Sequence, residues 1–367
     1  MKSDYKKLAP YIRLVDIRNS NDERYELLGV SVDKHFIKSI ANTVGTDWRT
    51  YKVIKKGQFC YIPDTSRRGD KMGIALLTDY DIALVSQAYA VFEIINQDEL
   101  LPEYLNLWFK RPEFDRYARF HSHGSVREIF DWEEMGNVEL PIPDIKEQKK
   151  IVEAYNTIER RIELKRKIND NLEATAQAIY NKMFVEDVDK SNLPTEWRIS
   201  ALGDIAELSA GGDKPMIFSE IKTEICSVPI FSNGLEDDGL YGFTNNPKII
   251  DESVTVSARG TVGYVFLREE PYVPIVRLIS VVPNKQFVNA KYLYFALREL
   301  DLQSTGTSQQ QITVPDYKKN LILVPNQSTL EEFTSKIEPI FVLLKQNKCE
   351  IESLTMLKTN CLALLSR

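Results

Sequence analysis

The chain has 367 residues, 43% of them hydrophobic, four cysteines and a formal net charge of -6. No apolar run approaches the roughly 20 residues of a membrane-spanning helix, and Met1-Lys2-Ser3-Asp4 lacks the apolar core of a secretory signal, so the expectation is a soluble, cytoplasmic protein with no membrane partner. Cys60, Cys226, Cys349 and Cys361 show no Cys-x-x-Cys spacing, which fits reduced thiols and points away from a disulfide frame or a zinc site.

From Tyr5 to about Ile145, short apolar runs alternate with turn residues. Tyr51-Lys52-Val53-Ile54, Gln58-Phe59-Cys60-Tyr61-Ile62 and the run over 83–94 are rich in β-formers and predict strands. Pro102 to Phe109 predicts a helix with proline in its first turn. Pro141-Ile142-Pro143-Asp144 closes the segment, since two prolines preclude a continuing helix. The reading is an α+β domain over 1–145, a long helix over 146–184, a charged, proline-ended linker over 185–196, a second domain over 197–326 and a second long helix over 327–367.

The helices carry the clearest pattern. Ile151, Tyr155, Ile158, Ile162, Lys165, Asn169, Leu172, Ala176, Ile179 and Met183 advance by alternating fours and threes, as do Phe333, Ile337, Ile340, Leu344, Asn347, Ile351, Leu354, Lys358, Cys361 and Leu365. Such stepping belongs to a helix that buries a narrow stripe against another helix. A constant offset of 182 residues between the series indicates a duplicated unit. In an antiparallel pair with full overlap, facing positions sum to about 516. Asn169 then faces Asn347, and the pair is expected to fix register and so the spacing of the two halves. Ile158, Ile162, Leu172, Ile340, Leu344 and Leu354 are expected beside it in the seam. Pro339 predicts a kink or a broken first turn in the second helix. Lys165 and Lys358 interrupt the apolar series and are expected to mark where a partner subunit docks.

The domains repeat each other as well. Arg68-Gly69 followed by Gly73 corresponds to Arg259-Gly260 followed by Gly263, Tyr104-Leu105 to Tyr292-Leu293, Gly124 to Gly306, Ile129 and Asn137 to Ile312 and Asn320, and Pro143 to Pro325. A scaffold kept while the residues between its fixed points diverge suggests one task performed twice on different targets.

Candidate contact residues fall at the repeated positions. Arg67, Arg68 and Lys71, with Arg259 and Thr261, flank glycines that let the backbone turn tightly while a cation reaches outward, which suits phosphate or base contact. His123, Ser125 and Arg127 correspond in place to Thr307, Ser308, Gln309 and Gln310, and these side chains carry the donors and acceptors that base edges require. Lys214 sits in a glycine loop, Ser209-Ala210-Gly211-Gly212-Asp213-Lys214, that reads first as a turn. No segment is strongly basic: residues 1–145 hold 20 basic and 23 acidic side chains and 193–326 hold 12 and 16, so nucleic-acid contact must come from local clusters or be shared with a partner.

Catalytic signatures are missing. There is no Asn/Asp-Pro-Pro-Tyr/Phe loop; Asn245-Asn246-Pro247-Lys248 lacks the second proline and the aromatic. No phosphate-binding G-x-x-x-x-G-K-[ST] loop occurs. Pro143-Asp144-Ile145-Lys146 and Pro315-Asp316-Tyr317-Lys318 share a nuclease-like spacing, but Asp144 is placed to cap a helix. His121-Ser122-His123 offers two metal ligands and no nearby carboxylate or cysteine, so no metal site is expected.

The doubled order of these features resembles the specificity subunit of a Type I restriction-modification system. The resemblance rests on Leu140-Pro141-Ile142-Pro143-Asp144-Ile145-Lys146-Glu147-Gln148-Lys149-Lys150-Ile151, Leu193-Pro194-Thr195-Glu196-Trp197, the paired Arg-Gly turns and Gly306-Thr307-Ser308-Gln309-Gln310-Gln311-Ile312. The second junction departs from the pattern, reading Pro325-Asn326-Gln327-Ser328-Thr329-Leu330-Glu331-Glu332-Phe333. The resemblance implies an α+β protein of two tandem target-recognition domains, each followed by a spacer helix, the helices forming an antiparallel coiled coil with pseudo-twofold symmetry. It further implies a non-catalytic subunit that binds a bipartite asymmetric site in double-stranded DNA, one half-site per domain. Two modification (methyltransferase) subunits and the restriction (motor-nuclease) subunits would be held on that site. S-adenosylmethionine, ATP and Mg2+ would belong to those partners, with none in this chain. Two alternatives stay open: a coiled-coil protein-interaction scaffold without DNA specificity, and a specificity subunit of a related system whose methylase and nuclease are fused.

Overall fold

The computed structural model describes residues 5–40, 45–65, 71–124, 128–186, 188–189, 191–260, 262–300 and 311–365. The chain divides into two compact units, residues 1–166 with 348–367, and residues 167–347. Each unit thus contains one globular domain and a stretch of both long helices.

In the first unit, Ile12–Val15, Ala90–Ile94, Phe59–Tyr61 and Ile74–Leu76 form an antiparallel sheet in that spatial order. A second sheet runs Phe36–Lys38, Leu27–Val30, Ile82–Val85 and Lys52–Lys55, with Leu27–Val30 parallel to Ile82–Val85. The continuous strand expected over 83–94 is therefore two strands in two sheets. Only Ser86-Gln87 interrupts its β-forming residues before Glu93, and there Tyr89 N–H donates to the Ser86 carbonyl at 3.1 Å and Ala88 N–H to the Ser86 hydroxyl at 3.3 Å, which closes a turn without glycine or proline. Helices Pro102–Phe109, Pro112–Phe120 and Trp132–Asn137 complete the domain, the first two opened by prolines at a position whose N–H would be unpaired in any case.

The second unit uses the same strand order, Ala206–Ala210, Ile279–Pro283, Ser253–Val256 and Val265–Arg268, beside a three-stranded sheet of Leu240–Thr244, Val228–Phe231 and Val273–Pro274. Its helices are Ala290–Arg298 and Val314–Tyr317.

Shared contacts give the register of the duplication. Leu8 N–H donates to Val138 O at 2.9 Å and Leu202 N–H to Asn320 O at 2.8 Å. The Tyr104 hydroxyl donates to Pro141 O at 2.9 Å and the Tyr292 hydroxyl to Leu323 O at 2.6 Å. Asp131 caps one short helix through Glu134 N–H, and Thr313 caps its counterpart through Asp316 N–H. The pairs from Asp131 onward keep the 182-residue offset, so Val138, not Asn137, corresponds to Asn320, and Phe130, not Ile129, corresponds to Ile312. A one-residue shift would have turned every strand side chain to the other face.

The long helices span Ile145–Asn181, followed by a π-helical turn at Lys182–Glu186, and Gln327–Leu364. All twenty seam positions are buried or half-buried. In the first unit Tyr155 and Ile162 are buried, and Glu159, Arg161 and Lys165 meet Lys358 and Glu350 in descending order, as antiparallel helices must. Lys358 Nζ lies 3.0 Å from Glu159 and Lys165 Nζ 2.8 Å from Glu350. Both lysines are engaged in ion pairs between the helices. In the second unit Asn347 Nδ2 donates to Asn169 Oδ1 at 2.7 Å, and Ala176, Tyr180 and Phe184 are buried with Phe333, Ile337 and Ile340 in one core. Tyr180 stacks on Phe295 at 5.5 Å and Phe184 meets Phe333 edge-on at 5.1 Å, pairs of a kind that contribute about 0.5–1.5 kcal/mol each beyond burial.

Both helix starts are capped, by different chemistry. Asp144 Oδ1 accepts Glu147 N–H at 2.9 Å, and Gln148, fully buried, donates to Glu99 O and Pro143 O and accepts Leu101 N–H. Asn326 accepts Thr329 N–H at 3.0 Å, and buried Leu330 replaces the glutamine. The break expected at Pro339 does not occur. The helix continues through it, because Pro339 and Ser335, whose carbonyl loses its helical partner, are both exposed to water.

Candidate nucleic-acid interface

A β-hairpin in the second domain presents the arginine-glycine turn Arg259-Gly260, and the first domain has the corresponding hairpin strands Phe59–Tyr61 and Ile74–Leu76. Tyr61 pairs with Ile74 and Val256 with Val265, which leaves twelve residues in the first loop and eight in the second. Ile62 N–H donates to Gly73 O and Ser257 N–H to Tyr264 O, both at 2.9 Å. Gly73 therefore corresponds to Tyr264 and not to Gly263, which is instead a turn residue at φ 90°.

Backbone bonds join each hairpin loop to the segment that follows the second candidate loop. Phe130 N–H donates to Pro63 O at 2.9 Å and Thr65 N–H to Glu128 O at 2.9 Å; in the second domain Ile312 N–H donates to Ala258 O at 3.1 Å. Two stretches some 60 residues apart in the sequence are thus brought side by side twice.

Arg259 is half-buried beside Gly260, which has φ 72°. Its Nη2 donates to Gln311 Oε1 at 3.4 Å, while its Nε is buried with no partner among the described residues. Asn233 braces this turn, accepting Ala258 N–H at 2.7 Å and donating to Val276 O at 2.7 Å. Val276 and Arg277 are both left-handed, at φ 52° and 61°, and both are exposed. Such residues cost about 1–3 kcal/mol each. They are held because Val276 and Arg277 donate their N–H groups to Gly212 O and Gly211 O. Asn233 and Arg277 were not among the sequence candidates, and no local signal marks a β-branched residue for a left-handed turn.

Lys71 is exposed, with Nζ 2.9 Å from Asp33; the partnership pulls the Asp33 carboxyl down and the Lys71 ammonium up. Both partners are exposed and screened by water, so Lys71 can exchange Asp33 for a phosphate oxygen at little cost. The neighbouring Met72 is fixed: Asp115 accepts its N–H at 2.9 Å, and the buried ammonium of Lys34 donates to Met72 O at 2.7 Å and pairs with Asp115. Burial pushes the Lys34 ammonium down, against the opposing pull of Asp115. His123 is exposed and exchanges backbone hydrogen bonds with Ile129 at 3.1 and 2.9 Å. Lys214 is occupied differently, its Nζ 3.4 Å from the centre of the Phe218 ring. Arg67, Arg68, Ser125, Arg127, Thr261, Thr307, Ser308, Gln309 and Gln310 lie outside the described residues.

Neither Pro-Asp-x-Lys string forms a catalytic cluster. Asp144 is a helix cap, and Asp316 is held low by the Thr313 hydroxyl and Lys319. The expectation that His121 and His123 lack a carboxylate is corrected: Glu134 lies 3.2 Å from His121 Nδ1, because the cap at Asp131 starts a helix that turns Glu134 back toward them.

A doubled α+β domain, each copy with a hairpin loop stitched to a later segment and with stretches of both long helices, defines a two-module recognition protein. The chain belongs to the Type I restriction modification DNA specificity domain family, whose model matches residues 6–174 and 194–353. It is 27% identical over 267 residues to the putative type I specificity subunit S.MpnORF507P of Mycoplasma pneumoniae, covering 70% of this chain and 69% of that protein. It is 22% identical to the type I restriction enzyme HindI specificity subunit of Haemophilus influenzae, covering 87% and 88%. A crystal structure of the type I restriction-modification S subunit from M. genitalium shares the fold, with TM-score 0.63 at 15% identity over 99% of this chain and 96% of that one.

Proposed function

We propose that this chain reads a bipartite, asymmetric site in double-stranded DNA, one half-site per domain, and holds methyltransferase and restriction subunits on it. The observation that carries this reading is the repeated backbone stitching of a hairpin loop to a later segment, Phe130 N–H to Pro63 O and Ile312 N–H to Ala258 O, with Arg259 bonded to Gln311 beside the second of these bonds. A cation beside donors and acceptors is the pairing that DNA demands, phosphate contact for position and base-edge contact for sequence. Divergent side chains on one scaffold let each domain prefer a different half-site. The chain reacts with nothing itself. The modification subunits flip and methylate adenine using S-adenosylmethionine, and the restriction subunits consume ATP with Mg2+, in the cytoplasm.

The test is a comparison of adenine methylation in cells with and without the gene, partner subunits intact. One bipartite motif disappears with the gene, and an unchanged methylome removes the reading. With the assembled complex, Arg259→Ala weakens binding to the cognate duplex and lowers the slope of log affinity against log salt by about one if the contact is to phosphate.

A further inference from the structure

The first domain gathers a set of ligands that the reading above does not use. Two of the chain's three histidines, His121 and His123, converge with Glu134, and one ligand atom from each lies within 4.8 Å of the others. His121 Nδ1 and Glu134 Oε2 are 3.2 Å apart. Bonds of about 2.0 Å at a tetrahedral angle separate two ligand atoms by about 3.3 Å, so this edge is already set for a metal.

Each ligand is positioned by its own element. His121 ends the helix Pro112–Phe120, its N–H donating to Tyr117 O at 3.0 Å and its ring packed against Tyr117 at 4.3 Å. Glu134 lies in the first turn of Trp132–Asn137, its N–H held by Asp131. His123 is pinned at its backbone by Ile129, and its side chain is exposed. A simple ion pair would need only His121 and Glu134.

We propose that His121, His123 and Glu134 bind one divalent transition-metal ion of the zinc class. Two imidazole nitrogens with one carboxylate favour that class over magnesium or calcium, which prefer all-oxygen shells. Three protein ligands leave a fourth position for water or an anionic oxygen. The site belongs to the first domain alone. The 182-residue offset puts Gln303 and Thr305 at the histidine positions, and Asp316, matching Glu134, is bound to Thr313 and Lys319.

The full-length chain, stripped with a chelator and titrated with Co2+ in the absence of DNA, tests this. One equivalent binds with the intense visible absorption of tetrahedral cobalt, and Zn2+ displaces it. His121→Ala and His123→Ala each abolish the band, Glu134→Gln weakens binding at least about tenfold, and His35→Ala leaves it intact. Should His121→Ala not fold, His123→Ala decides, because the exposed His123 ring supports no core packing. Absence of stoichiometric binding, a band that survives in the double histidine variant, or a thiolate charge-transfer band pointing to the cysteines overturns the assignment.

Discussion

The carboxamide of Asn347 donates to Asn169 Oδ1 at 2.7 Å inside a seam otherwise filled by Leu172, Ala176, Ile340 and Leu344. Asn347 is 5% exposed and Asn169 half-buried, so the bond between them replaces hydration that the seam excludes at Asn347. Asn347→Leu alone strands the Asn169 amide and destabilises the second unit by about 1–3 kcal/mol. Adding Asn169→Leu recovers most of that loss, since an apolar pair leaves no polar group unmatched. Urea unfolding of the wild type, both single variants and the double variant measures the coupling, and additive losses would show that the pair does not interact.

Glu159 stands between Lys110 at 3.7 Å and Lys358 at 3.0 Å and accepts the Tyr155 hydroxyl at 3.3 Å. Burial pushes its carboxyl up, but Lys110 and Lys358 outweigh burial and hold it below its ordinary value of 4.5. A carboxyl depressed in the folded chain contributes stability that is present above that ordinary value and lost as pH falls through the folded one. Glu159→Gln is therefore expected to lower the melting temperature at pH 7, with the gap closing as pH falls below 4.5. Melting curves of both proteins from pH 7 to pH 3 check this, and a gap that widens in acid contradicts it.

The seam was legible in the sequence because its 3–4 spacing is a property of one helix read alone, and Asn169 opposite Asn347 follows from it by addition. The hairpin turns were legible in part, through Arg259-Gly260, since glycine marks a left-handed turn wherever it falls. Contacts that close only in three dimensions were not. Glu134 reaches His121 because His123 pairs with Ile129 and the Asp131 cap starts a helix beside it, and Asn233 reaches Ala258 across 25 residues. The turn at Ser86 was hidden because it contains neither glycine nor proline, and the left-handed pair Val276 and Arg277 contradicts the residue preferences on which turn prediction rests.

Tyr104 and Tyr292 make the same bond in the two units, to Pro141 O and Leu323 O, and both are fully buried. Removing either hydroxyl leaves a strand carbonyl short of a partner. Tyr104→Phe and Tyr292→Phe are each expected to cost about 1–2 kcal/mol, and because they lie in different units the double variant loses the sum. Unfolding followed separately at reporters in each unit should show each substitution lowering only its own transition.

Gly211 and Gly212 are adjacent and chemically identical, yet substitution at one is expected to matter and at the other not. A Cβ on Gly211 would lie 2.8 Å from Ile275 N, Ile275 O and Pro274 C, all backbone atoms that cannot rotate away. The same glycine bonds Leu278 O through its N–H and accepts Arg277 N–H, so relieving the clash pulls apart the strained turn braced by Asn233. On Gly212 the nearest atom is Lys248 Nζ at 3.9 Å, the tip of a long flexible chain. Gly211→Ala is expected to destabilise the second unit by about 1–3 kcal/mol and to weaken binding to cognate DNA in the assembled complex, through displacement of the Arg259 turn. Gly212→Ala should stay within about 0.5 kcal/mol of wild type and bind normally. Denaturant midpoints and duplex affinities for the two variants decide the matter, and equal behaviour of the pair would mean that the turn at Val276 does not position Arg259.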